Sequence, residues 1–225
     1  GLGILLVQFG VAALQGGLTA NLVGVRSGLI CAGFTLLAPA NANGTLLGLM
    51  RWDGTTSVLR DLAIEGAVVA LLGALTTWFV LRAGRRHETA PREKLASAGS
   101  AVALLVAFAA AGAGAWIVAR ETLSGQTIGA AGVAGLAGAT LGRIASPRAS
   151  AIMFVVAIGL LAVAGPVIAT GASGAEIARD VYELKVVPLA RPLPMHWMAG
   201  GLIGVPLGMA WASQMLEKRG ARPVA

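Results

Sequence analysis

Charge is what this sequence has least of. Lysine, arginine, aspartate and glutamate make up 12% of its 225 residues, and its mean hydropathy is +0.80. A soluble domain carries about 25% charged residues. Half that fraction leaves too few polar side chains to cover a water-soluble body, which sets the soluble helical class aside. Cysteine is nearly absent as well. Cys31 stands alone, so no internal disulfide can form and cysteine usage says nothing of redox compartment. Histidine is limited to His87 and His196, too far apart to make a metal set with one cysteine. Neither offers the in-span ligand pair that a haem needs. There is no P-loop, no HExxH, and no dinucleotide fingerprint after a strand. No cofactor and no metal are expected, and no catalytic set can be assembled.

What the chain does have is long apolar runs near 20 residues, the length that crosses a bilayer. Seven are read: 1–20, 28–49, 62–81, 95–118, 127–142, 150–170 and 196–216. The expected fold class is therefore all-α, a polytopic transmembrane helix bundle forming one domain over residues 1–225. Six spans result if residues 1–49 cross only once. The second run contains Pro39 and then small polar residues, so the helix is expected to end near Ala38 or to continue kinked to about Leu49. The run 127–142 is barely long enough to cross unless Arg143 snorkels. In AEIARDVYELK, Ile177, Val181 and Leu184 share one face, and Arg179 and Glu183 are four apart. That stretch is expected to be a short interfacial amphipathic helix on the outer side. The prolines of VVPLARPLPMHW predict an extended strap after it.

The stretch RAGRRHETAPREK, Arg82 to Lys94, orients the rest. Basic loops of this length stay in the cytoplasm. With that loop inside, alternation puts eleven basic residues on its side and six opposite. Three acids fall inside and seven at or near the outer side. The expected location is the cell membrane, inner or plasma, multi-pass, with the loop and the C-terminus cytoplasmic. The formal charge of +7 is then a matter of topology and lipid headgroups. Nucleic acid is not an expected partner, because no aromatic-interleaved basic stripe accompanies the charge. The first residue is Gly1 and not Met, so a processed or trimmed start is the expectation.

Small residues at helix-packing spacing are the strongest motif. Gly200, Gly204 and Gly208 form two overlapping GxxxG units. Gly138 and Gly142 form another, with Gly129, Gly132 and Gly135 at spacing three, and Ala103, Ala107, Ala111 and Ala115 make a stripe. Such stripes let backbones approach closely in lipid. The leading expectation is a non-catalytic helix-packing or scaffold protein, or a small subunit of a membrane complex, with lipid and other membrane subunits as partners. A transporter or channel is the alternative. It would use Glu65, the best intramembrane ionisable residue, with Asn41 and Asn43 beside the broken second span. An enzyme acting on a lipid-linked substrate would need Asp53, Asp61 and Glu121 to converge with Arg51, Arg60 or Arg120. Ser173 and His196 have no span between them, unlike the serine and histidine of rhomboid intramembrane proteases, so that chemistry is not assigned. Gln8 and Gln15 lie seven apart on one face and, like Gln214, read as inter-helix hydrogen-bonding groups.

Overall fold

A computed structural model describes residues 1–87 and 98–220. Among them there is no strand, and nine α-helices account for most of the chain. Seven are long: α1 (Leu2–Val23), α2 (Val25–Ala42), α4 (Ser57–Ala83), α5 (Ala98–Val118), α6 (Ser124–Ala145), α7 (Ala151–Ser173) and α9 (Pro194–Gly220). Two are short: α3 (Leu46–Trp52) and α8 (Ile177–Tyr182). Five segments of the described chain are long and apolar enough to cross a membrane: α1, α4, Gly99–Val118 of α5, α6, and Ala151–Tyr182.

The long helices run alternately up and down. One end of the bundle gathers the end of α2, the starts of α4, α6 and α9, and the ends of α5 and α7. Three sets of contacts fix this. The Ser124 hydroxyl donates to Gly44 O at 3.1 Å. The Arg191 side chain reaches Ala119 O. A small apolar cluster joins Leu46 and Met50 of α3 to Leu59 and Leu62 of α4, Ala169 of α7, and Ile177 and Val181 of α8. The opposite end carries the α1–α2 turn at Gly24, the end of α4, and the α6–α7 turn.

Helix α9 is the axis of the bundle. Every residue from Ala190 to Leu202 is buried. It packs most extensively on α6 and also on α2, α7 and α4, while α1 and α5 lie outside it. The α6–α9 seam is a backbone contact. A Cβ at Gly204 would run into the carbonyl of Gly132, and one at Gly208 into that of Leu136. On the other face of α6, a Cβ at Gly138 would sit 2.8 Å from Ala107 O. Ala103, Ala107, Ala111 and Ala115 of α5 are completely buried there. Glycine at these sites is a matter of space, since any side chain would push the two helices apart.

Several boundaries differ from the sequence expectation. Helix α2 passes through Pro39 and stops at Asn43–Gly44, where Gly44 has φ +80. Pro39 removes one hydrogen bond near the helix end, which neighbouring helices tolerate, whereas a left-handed glycine ends the helix outright. Thr45 then caps α3, its hydroxyl accepting from Gly48 N at 3.1 Å. Helix α6 starts at Ser124 and ends at Ala145, so it is longer than its apolar run. The strap expected through Trp197 is shorter. Pro194 opens α9, as the first helical position allows because its missing N–H would have no partner there anyway. Pro188–Ala190 forms a single 3₁₀ turn. In α8, Ile177 and Val181 are fully buried, but the helix ends at Tyr182, so Leu184 lies beyond it at φ +56 and is exposed. Residues 88–94 of the basic loop, the first three residues of the expected span 95–118, and residues 221–225 lie outside the described residues.

The seam gives a direct prediction. Gly204→Val should destabilise the protein by about 3 kcal/mol or more, because overpacking there opposes backbone rather than a movable side chain. Gly129→Ala, on the exposed side of α6 where a Cβ meets nothing within 4 Å, should cost nothing. Equilibrium unfolding in mixed micelles measures both.

Candidate functional site

The polar groups that chain folding brings together lie at the gathered end, around Arg191 and His196. The PLARPLP segment enters α9 here. Its prolines restrict the backbone on both sides of Arg191 and hold it over the end of α5. The Arg191 side chain is 6% exposed. Nη1 donates to Ala119 O at 2.8 Å and also to Arg120 O. Nη2 donates to Leu184 O at 2.6 Å and Val186 O at 3.1 Å. The guanidinium thus ties the C-terminal end of α5 to the segment after α8. Its partners are all carbonyls, and the negative end of the α5 dipole adds to their pull. Burial, and then the nearby charge of Arg120, press its pKa below the usual arginine value. Guanidinium stays charged at biological pH regardless. Nε finds no acceptor among the described residues.

His196 is completely buried one turn further on. Its Nε2 lies 2.9 Å from Ala40 O of α2. A carbonyl can only accept, so Nε2 carries the ring proton. Nδ1 is then an acceptor. It takes the Thr127 hydroxyl of α6 at 2.8 Å and the Leu193 N–H at 3.4 Å. The Leu193 contact is a capping bond. Leu193 O accepts from Trp197 N, which makes Leu193 the N-cap, and the side chain three residues on reaches back to its N–H. One imidazole therefore joins α2, α6 and the start of α9. At the far end of the same seam the Thr140 hydroxyl lies 3.2 Å from Gly208 O. Trp197, fully buried beside His196 in the chain, keeps Nε1 without an acceptor among the described residues.

The residues singled out from the sequence fall elsewhere. Glu65 is half-buried on a stripe of α4 with Leu62, Gly66 and Val69, and makes no hydrogen bond or ion pair among the described residues. Gly66 of that stripe packs on the Ala162 carbonyl of α7, where a Cβ would lie at 2.7 Å. Asn41 and Asn43 are exposed at the end of α2. Asp53, Asp61 and Glu121 are exposed, and each is held locally or not at all. Asp53 accepts from the Thr55 hydroxyl at 2.7 Å and the Ser57 hydroxyl at 2.9 Å, which lowers its pKa, Thr55 contributing most. Asp61 lies 3.7 Å from its neighbour Arg60. The Arg179–Glu183 pair forms at 2.8 Å and Lys185 adds a second at 2.5 Å, which hold the Glu183 carboxyl below its ordinary range. These pairs are exposed and contribute little to stability. Among the described residues no three metal-ligating side chains gather.

The glycines lie inside the chain. Gly200, Gly204 and Gly208 face α6, and Gly138 and Gly142 face α5. The Gly200–Gly208 stripe is covered by the chain's own α6 and has no room for another subunit. Sequence reasoning missed the Arg191 and His196 contacts. Charge counting places Arg191 on the outer side, and nothing local gives either residue a role inside the bundle. The available signal was the RPLP spacing, which fixes the backbone at those residues, but the carbonyls of α5 and α2 that they reach lie far off in sequence.

What fold and site define together is an all-helical protein of membrane-like character, in which the buried Arg191, His196, Thr127 and Thr140 hold one helix to another. No protein-family model, curated protein or solved structure matches the chain.

Arg191→Met should lower stability by about 3 kcal/mol or more, since it strands four carbonyls that a methionine cannot satisfy. Arg191→Lys should recover only part, an ammonium lacking the fork that spans two pairs of acceptors. Unfolding in lipid bicelles at constant pH checks the order wild type, Lys, Met.

Proposed function

We propose that the chain is a non-catalytic integral membrane protein whose role is to pack, as a rigid helical body or small subunit within a membrane assembly. The observation that carries the reading is the interior itself. From α5 through α6 to α9 it is built of alanine and glycine at backbone contact, and the buried Arg191, His196, Thr127 and Thr140 bond to carbonyls and to one another. Such an interior supports rigidity. Glu65 sits on an apolar packing stripe, and Asp53, Asp61 and Glu121 face solvent in local turns, so neither transport nor catalysis gains support from them.

The same proposal includes seven crossings, with the Arg82–Lys94 loop and the C-terminus in the cytoplasm. Exposed aromatics support it. Trp52, Trp116 and Tyr182 lie toward the gathered end, and Trp78 and Trp211 toward the other. Arg82 stacks over Trp78, 5.5 Å from the ring centroid, as a cation at a headgroup interface does. From the start of α9 to Trp211 the rise is about 25 Å, close to a hydrocarbon thickness of about 30 Å. Between these levels Leu71, Leu105 and Val167 are more than half exposed.

Two measurements test the proposal. In a Cys31→Ser background, a membrane-impermeant maleimide on intact cells should label Glu176→Cys and Glu121→Cys. It should reach Arg85→Cys and Arg148→Cys only after permeabilisation. The reverse pattern would overturn the orientation, and labelling of all four in intact cells would overturn the crossings. For the role, purification from native membranes in mild detergent should return the chain with co-eluting membrane subunits in fixed ratio. Purified protein in liposomes should pass no ion current. A flux abolished by Glu65→Gln would replace this reading with transport.

A further inference from the structure

Helix α1 carries two faces. One packs on α2 and α4 through Phe9, Ala12, Gly16 and Ala20. The other is open, and a regular seam runs along it: Ile4, Gln8, Val11, Gln15, Leu18 and Leu22, at spacings of four and three. Ile4, Leu18 and Leu22 are each more than 60% exposed. This is the spacing by which helices of a left-handed pair meet. In its middle, one heptad apart, stand Gln8 and Gln15.

Gln15 is exposed and Gln8 half-buried, and a carboxamide on a lipid-facing helix is costly unless it finds partners. The chain supplies only part of them. The Thr35 hydroxyl of α2 donates to Gln15 Oε1 at 2.5 Å and lies 2.9 Å from Cys31 O. Both N–H groups of the Gln15 amide remain without an acceptor among the described residues, and Gln8 makes no hydrogen bond among them. A carboxamide is complementary to another carboxamide, since each offers a donor and an acceptor. We infer that this seam binds a second copy of the same chain, α1 against α1, with Gln15 meeting Gln15 and Gln8 meeting Gln8.

Symmetry makes the pairing self-consistent. Two copies inserted with one topology can form a closed pair only about an axis along the membrane normal. Their α1 helices then run parallel, and each seam residue meets its own counterpart at its own depth. The two amide levels lie about 10 Å apart along the axis, one heptad of rise. The Gly200–Gly208 stripe, occupied by α6, takes no part. The inference rests on the membrane reading above, and the labelling test there fails separately from this one.

The experiment uses the full chain in liposomes at increasing lipid dilution, with Cys31 replaced by Ser. Oxidative cross-linking of Val11→Cys and Leu18→Cys should give dimers, and Leu6→Cys, exposed on another side of α1, should give few. With fluorescent labels at Glu176→Cys, Gln15→Leu should shift the dilution midpoint of energy transfer about tenfold toward monomer, the size of two inter-helix hydrogen bonds in lipid. Gln8→Leu with Gln15→Leu should shift it on the order of a hundredfold. Thr35→Val, which breaks only the contact within the chain, should leave association intact or strengthen it. Energy transfer absent at every dilution, equal cross-linking at Leu6 and Leu18, or a midpoint unmoved by Gln15→Leu would overturn the inference. So would Thr35→Val acting like Gln15→Leu, since Gln15 would then serve α2 alone. Correct labelling of Glu176→Cys and Arg85→Cys in each variant shows that insertion is unchanged.

Discussion

Backbone contact between α6 and α9 is the constraint from which the arrangement follows. In lipid there is little hydrophobic gain in bringing two apolar helices together, so close packing must supply the attraction. Gly132 and Gly135 on one helix and Gly200, Gly204 and Gly208 on the other let backbone meet backbone along the seam. With α9 pressed onto α6, its remaining faces are free to take α2, α4 and α7, and the bundle closes around it. Alanines of α5 extend the same packing one layer outward on the other side of α6.

Close packing leaves rotation and sliding along the seam to be fixed, and polar groups at its ends do this. His196 and Thr127 bond at one end, Thr140 and Gly208 O at the other. Arg191 then ties the strap before α9 to the end of α5, which satisfies carbonyls that the α5 terminus leaves without intrahelical donors. These bonds are charge-assisted or fully buried, which makes each valuable when formed and costly when one partner is lost. The second apolar cluster, joining α3 and α8 over the start of α4 and the segment that leads into α9, covers this end.

The helical, membrane-like character was legible because it is written in composition, as long runs with few charges. Boundaries were less so. Pro39 looked like the break in the second run, but proline near a helix end costs one hydrogen bond, and the left-handed Gly44 was the real stop. Pro194 looked like part of an extended strap, yet it sits where a helix tolerates proline best. The glycine stripes could be read as stripes from spacing alone. Their mates could not, since nothing local says that Gly204 faces Gly132. The inward roles of Arg191 and His196 were hidden for the same reason: the contacts that tie them to other helices, Ala119 O and Arg120 O for Arg191 and Ala40 O for His196, lie 71 to 156 residues away, and a carbonyl has no identity in sequence.

Backbone contact between α6 and α9 within one chain is open to observation in a bilayer. Magic-angle-spinning NMR of the protein in lipid, with glycine labelled at Cα and carbonyl, measures this most directly. A correlation between Gly204 Cα and the Gly132 carbonyl is predicted, and it should persist at undiminished relative intensity when labelled chains are diluted with unlabelled ones. Its absence would rule out the seam, and its loss on dilution would make the contact one between chains.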